Sequence, residues 1–312
     1  MSQVASPFGL RQESAMRKRT ARAYIEHGLG LGSFLATLVS VITTFGIIFI
    51  LFGESWSFFQ DVSVVDFLTG TKWAPLYEPR AFGILPLLSG TMIIAAGAAL
   101  LAIPLGLLSA VYLSEYATPR VRSILKPALE VLAGIPTVVY GYFGLIYVTD
   151  LLQKINKGFE TFNAASGAIV VGIMVLPMVS SLCEDAIAAV PKHLREAAYG
   201  LGATKFEVVT KVVIPAALSG IMSSFVLALS RAVGETMAVT LAAGQMPQLT
   251  WDARQGMQTM TAYIVKVSQG DTPAGSIGYK TIFAVGLTLF ILTFILNLFA
   301  RRLVTRFRSV YQ

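Results

Sequence analysis

The stretch REAAYGLGATKFEVVTKVVIP, Arg195 to Pro215, decides how the whole chain is read. It places three basic and two acidic residues, two glycines and a closing proline in the middle of an otherwise oily sequence. Just ahead of it Pro191 opens a short helical pattern, with Leu194, Ala198 and Leu201 on one face at i, i+4 and i+7. Gly200 and Gly202 stop that helix. Thr204, Lys205, Phe206 and Glu207 then form an S/T-x-x-E capping box, which starts a second helix running toward Pro215. Such a segment is either an amphipathic connection lying on a lipid surface or a compact knob of two short helices joined at a glycine corner.

The surrounding composition identifies the medium. The chain has 312 residues, 55% hydrophobic and 13% charged, with a mean hydropathy of +0.69. Soluble domains carry about a quarter charged residues, so half that share, gathered into clusters, indicates a membrane protein. A helix needs about 20 apolar residues to cross a hydrocarbon core. Uncharged runs of that scale occupy Gly28–Gly53, Ala81–Ser114, Val131–Thr149, Thr161–Cys183, Val212–Ser230 and Thr281–Ala300. The fifth continues past Arg231 and Glu235 into Thr236–Thr250. The first run is too long for a cleaved leader and reads as a retained anchor. The expected organisation is a cytoplasmic arm over residues 1–27 and a six-helix transmembrane domain over 28–312. Its spans are expected near 30–52, 88–113, 127–149, 164–186, 213–243 and 280–300, with the interrupting segment at 191–211.

Sixteen basic residues flank one side of this arrangement, seven the other, and one lies within a span. By the positive-inside rule both termini and the opening stretch face the cytoplasm. The net charge of +7 is thereby a topology signal and calls for no nucleic-acid partner. The lone cysteine, Cys183, excludes an internal disulfide and reads as a packing residue. No Gly-Lys dipeptide occurs, so the chain has no G-x-x-x-x-G-K-[ST] loop to cradle a nucleotide.

Arg231 and Glu235, in LSRAVGETMAV, stand at i, i+4, within pairing reach on one helix face. Ser224 precedes Arg231 by two turns, with Ser223 and Gly220 nearby, so this face reads as polar and small, turned to a bundle interior or a water-filled path. A charge inside a span marks a packing salt bridge or a transport element, and a guanidinium suits bidentate phosphate contact. In AGIPTVVYGYFG, Pro136 removes a helix hydrogen bond and is placed to kink the third span. Thr137 and Tyr140 are pathway candidates there, although close packing accounts for the same residues. Glu184 and Asp185 read as the solvated or basic-partnered end of the fourth span. The aromatic connection Glu54–Arg80 suits an interfacial segment. No catalytic set emerges.

The opening stretch resembles the signature of ABC importer permeases, E-A-A-x3-G-x9-I-x-L-P. Glu196, Ala197, Ala198, Gly202 and Pro215 match, while Val212 and Ile214 replace Ile and Leu, apolar for apolar. SRAVGETMAVT is similar to the R-A-x-G-E-T-M-A-V segment of the phosphate-importer permeases, in the PstC-type form, since the PstA-type subunit usually reads G-E-T-A-P. The resemblance implies an all-α fold with six transmembrane helices, the MetI-like architecture of type I ABC importers. It implies that Leu194, Glu196, Ala197, Ala198, Gly202 and Pro215 belong to a coupling helix docked on a separate ATPase. It also implies two copies of that ATP-binding ABC subunit, a PstA-type second permease, a periplasmic phosphate-binding protein, phosphate as cargo and membrane lipid as surroundings. ATP and Mg would be used by the partner ATPase, with no cofactor in this chain. Arg231, Glu235, Ser224, Thr137 and Tyr140 would serve the substrate path or gate. Another oxyanion as cargo (molybdate, tungstate or sulfate), or an autonomous ion-coupled carrier, stays open at this stage.

Overall fold

The computed structural model describes residues 7–308, with side chains described for Glu26, 28–302, 304 and 305. Residues 1–6 of the expected arm, the side chains of its Arg11, Arg17, Lys18, Arg19 and Arg22, and those of Arg306 and Arg308, lie outside that description. The chain divides into two compact units, residues 1–53 and 54–312. In the first, helix α1 (Pro7–Asp61) begins and includes a membrane-length apolar segment from Gly28 onward. Its apolar residues are exposed on every side, Phe34, Val39, Ile42, Phe45 and Phe49 among them. A helix that is hydrophobic all round belongs in lipid or a large core.

The second unit begins with the last turns of α1. It continues through α2 (Val64–Thr69) and a two-stranded antiparallel ribbon, β1 (Trp73–Ala74) and β2 (Ala81–Phe82), with Trp73 opposite Phe82. The aromatic connection does not simply lie at an interface. Phe58, Phe67, Phe82 and Trp73 meet edge to face, and Trp73 packs on Tyr263 with ring centres 4.9 Å apart. These rings build a separate small core, and only Trp56 and Tyr77 are left exposed.

Helix α3 (Leu85–Val111), extended by a π-helical turn over Tyr112–Tyr116, packs most extensively against α7 (Ala164–Ala188). Small residues permit that approach. A methyl added at Gly106 would sit 2.6 Å from Val179 Cγ1, and one at Gly97 would sit 2.8 Å from Ala168 Cβ. Without a hydrophobic drive between helices in lipid, close contact of this kind is what holds them. The main core spreads from this seam, through Ala98, Ala102, Val171, Val175 and Val179, to Ile221 and Ala228.

Two expected spans are redrawn by helix breaks. Helix α4 (Pro119–Ala133) and the helical run α5 (Thr137–Phe143) to α6 (Thr149–Ile155) are bent by 91°. The third expected span, 127–149, is therefore bent where the sequence placed a kink at Pro136. Pro136, with no N–H to donate, stands at the elbow. The fifth expected span, 213–243, is also broken. Its helix ends at Val233, and α11 (Met237–Ala242) follows after an irregular turn. The chain then loops to α12 (Met260–Ser268) and leaves along α13 (Ile277–Arg308). Among the described residues five helices are long and apolar enough to cross a membrane, and the bent pair supplies a sixth if taken as one span.

Candidate functional site

The interrupting segment forms one short helix and the start of a long one. Helix α8 (Lys192–Gly200) ends at a corner where Gly202 takes φ +83°, a left-handed conformation that costs residues with a Cβ. Helix α9 (Lys205–Val208) starts from a complete capping box. Thr204 Oγ1 accepts from the Glu207 N–H, and Glu207 Oε2 accepts from the Thr204 N–H at 3.0 Å. From there a π-helical turn, Val209–Val213, leads without a break into α10 (Ile214–Val233), with Pro215 in its first turn. The second half of the expected knob is thus the foot of the fifth span itself. The expected stripe Leu194–Ala198–Leu201 does not face one way. Ala198 packs on the core, whereas Leu201 lies beyond the last helical turn and is 90% exposed. Leu194, Glu196 and Ala197 are exposed on α8, and Phe206 stands exposed beside the corner. The Thr204 backbone N–H, then the Lys211 ammonium and the Thr204 hydroxyl, hold the Glu207 carboxyl down at about 2.

Beneath this corner two carboxylates gather the ends of four helices. Glu184, near the end of α7, has a side chain 2% exposed and is flanked by Arg122 Nη2 and, at 3.4 Å, by Lys126 Nζ, both from α4. The sequence left this end of the span either solvated or basic-partnered; Glu184 is basic-partnered, by the cations of α4. The second carboxylate, Glu115, lies in the π-helical turn after α3. Its Oε1 accepts from Arg195 Nη2 at 2.9 Å and Nε at 3.2 Å. The same guanidinium donates to the carbonyls of Ile187 at 2.8 Å and Val190 at 2.6 Å. Arg195 of α8 is therefore bonded at once to the ends of α3 and α7. Lys205 Nζ adds a contact 4.7 Å above the Tyr116 ring. Sequence reasoning missed Glu115 because its partner stands 80 positions away and nothing local signals it.

The charged pair of the fifth span does not form. Its i, i+4 geometry requires an unbroken helix, and α10 ends at Val233 between the two residues. Each charge instead complements the end of its own helix. Arg231 lies in the last turn of α10, while Glu235 Oε1 accepts from Ala238 N at 3.2 Å, in the first turn of α11. The Glu235 carbonyl accepts from Thr261 Oγ1 at 2.7 Å, which pins the break against α12. Arg231 is exposed and has no ion-pair partner among the described residues. Ser224 is buried against α7, in contact with Cys183 Sγ at 2.9 Å, and Gly220 abuts Ala186. That face is packed, not open to a water-filled path. Tyr140 is also buried, its hydroxyl donating to the Leu132 carbonyl at 2.7 Å across the α4–α5 elbow, while Thr137 opens α5 half-buried.

With this geometry in place, comparison with known proteins is informative. A family model described as the binding-protein-dependent transport system inner membrane component matches residues 102–309. The "Probable ABC transporter permease protein YqgH" of Bacillus subtilis is 34% identical over 248 residues, covering 78% of this chain and 79% of that protein. The "Phosphate transport system permease protein PstC" of Mesorhizobium japonicum is 33% identical over 290 residues, 87% of each chain. Among solved structures, a chain of the bacterial alginate ABC transporter in complex with its pentasaccharide-bound periplasmic protein superposes with a TM-score of 0.63. That match covers 93% of this chain and 96% of the other at 16% identity, a likeness of fold.

Proposed function

The chain belongs to the family of binding-protein-dependent transport system inner membrane components, and from that membership we propose that it is the PstC-type permease subunit of an ATP-driven importer of inorganic phosphate. The observation that carries the anion reading is Arg231. A guanidinium with no carboxylate partner among the described residues, exposed at the broken end of a membrane helix, is suited to bidentate contact with a tetrahedral oxyanion. Glu235 serves the path indirectly, by capping α11 and keeping the break open beside Arg231. Ser224, Tyr140 and Thr137 serve it as the packing that fixes α10 and the α4–α5 elbow.

The reading has a mechanical half. The chain has no nucleotide loop, so ATP and Mg belong to two ATP-binding subunits on the cytoplasmic side, where both termini also lie. Those subunits engage α8 around Leu194, Glu196, Ala197 and Ala198, with the Gly202 corner and the rising helix at Pro215 behind it. A PstA-type permease completes the path, and a periplasmic phosphate-binding protein delivers cargo at the outer face. Closure of the ATPases displaces α8 and reorients the spans by alternating access.

Labelled-phosphate flux into proteoliposomes holding the full complex tests this reading. Uptake that requires ATP, resists competition by molybdate, tungstate and sulfate, and falls with Arg231→Gln is the expected result. Uptake by this subunit alone without nucleotide, or wild-type uptake by Arg231→Gln in an assembled complex, would overturn it.

A further inference from the structure

Displacement of α8 can reach the membrane helices by two routes. One is covalent, through the corner at Leu201–Ala203 into α9 and α10. That route is held by backbone hydrogen bonds, from the Gly202 N–H to the Tyr199 carbonyl at 2.9 Å and from the Ala203 N–H to the Ala198 carbonyl at 3.1 Å, but it leads only to α10. The other runs through side chains. Arg195 binds the Glu115 carboxylate and the carbonyls of Ile187 and Val190 at the C-terminal end of α7, with its own side chain 17% exposed and that of Glu115 9% exposed. A guanidinium that makes four hydrogen bonds in a fixed planar fork cannot swing to a new partner without breaking several of them together. Charge-assisted bonds shielded from water are also the strong class.

We infer that Arg195 and Glu115 form the clasp through which movement of α8 is passed to α3 and α7, so that these two helices and α8 travel as one body. Arg195 and Glu115 are positioning residues on this account; neither touches cargo. The arrangement explains why an ion pair is buried at a site where apolar packing would hold the helices as well. Buried ion pairs add little net stability over a hydrophobic substitute, but they fix one geometry. The π-helical turn that carries Glu115 serves the same end, since the extra residue it holds per turn re-aims the carboxylate toward α8. The Glu184 cluster with Arg122 and Lys126 ties α4 to the same body from the other side.

The inference rests on the importer reading for its partner ATPase, and its test separates the two. In the assembled complex, spin labels on the exposed side of α8 and on the end of α3 report their separation in nucleotide-free and ATP-trapped states, independently of cargo. The clasp predicts an unchanged α8–α3 distance in the wild type and a distance that shifts with nucleotide in Glu115→Ala. It further predicts that phosphate moved per ATP hydrolysed falls at least about fivefold in Glu115→Ala, the low end of coupling between distinct sites. Glu115→Gln, whose amide oxygen still accepts from Arg195, should lose less of that ratio, a gradation that loss of folding alone would not give. A wild-type α8–α3 distance that changes by several ångströms with nucleotide, or an unchanged ratio in Glu115→Ala, would overturn the clasp. A complex that takes up no phosphate but keeps the distance behaviour would count against the cargo and leave the clasp standing.

Discussion

At the scale of single residues, the Glu184 cluster is asymmetric and predicts an asymmetric response. The carboxylate is buried, whereas Arg122 and Lys126 are about 40% exposed and can turn into water. Removing both cations strands a desolvated charge and should cost about 3–5 kcal/mol. Glu184→Gln leaves nothing charged and buried, and should cost about 1 kcal/mol. Thermal unfolding in detergent of Glu184→Gln beside the double variant Arg122→Ala/Lys126→Ala checks the order, and equal losses would refute it. Glu235 offers a second contrast. It caps α11 through one oxygen, and an amide oxygen accepts the Ala238 N–H as well. Glu235→Gln should therefore keep most phosphate uptake, while Glu235→Ala should lose it, whereas a pair with Arg231 would make the two equally damaging. Glu207 supplies the pH dependence. Its carboxyl is held at about 2 in the folded corner against an ordinary 4.5, so its contribution is present above pH 4.5 and lost as pH falls toward 2. A spin label at the α9 start should stay immobile down to about pH 4.5 and loosen below it, and Thr204→Ala should weaken that dependence.

At the scale of elements, the glycines sort themselves by what surrounds them. Gly106→Val would drive methyls into Val179 across the α3–α7 seam and should cost about 1–3 kcal/mol. Gly200→Ala meets open space and should be tolerated. Gly202→Ala meets the same open space but takes on the left-handed backbone at φ +83°, for about 1–2 kcal/mol. Comparing the melting temperatures of the three assembled variants checks that order. The sequence revealed the spans because lipid demands long apolar runs, and it revealed the α9 start because a capping box is local. It placed the kink at Pro136, because proline removes a helix donor, but not the 91° bend, since the uncharged run begins at Val131 within α4 and uncharged length does not report direction. Nor could spacing alone show that Gly234 separates Arg231 from Glu235, since an i, i+4 pair assumes the very helix that ends there. The Glu115–Arg195 clasp was illegible for another reason. A tertiary ion pair leaves no periodic trace in the chain.

At the scale of the whole molecule, charge placement and surface placement make one joint claim, that the basic side faces the cytoplasm and there meets a partner. The chain is well suited to testing it, because its single cysteine, Cys183, is fully buried beside Ser224 and so contributes little background labelling. Leu201 is 90% exposed at the corner, and Tyr77 is 70% exposed on the connection between α2 and α3. Neither side chain contributes to a core, so Leu201→Cys and Tyr77→Cys should fold as the parent does. With basic residues concentrated around the corner, a membrane-impermeant maleimide should reach Leu201→Cys only from the cytoplasmic side and Tyr77→Cys only from the outside. Leu201 shares the corner with exposed Phe206, and apolar residues grouped on an aqueous face mark an interaction site. Addition of the ATPase subunits should therefore shield Leu201→Cys and leave Tyr77→Cys unchanged. Labelling of both positions from one side would reverse the topology. Labelling of Leu201→Cys that the ATPase does not slow would separate the corner from its partner, and with it the route by which ATP could move the spans.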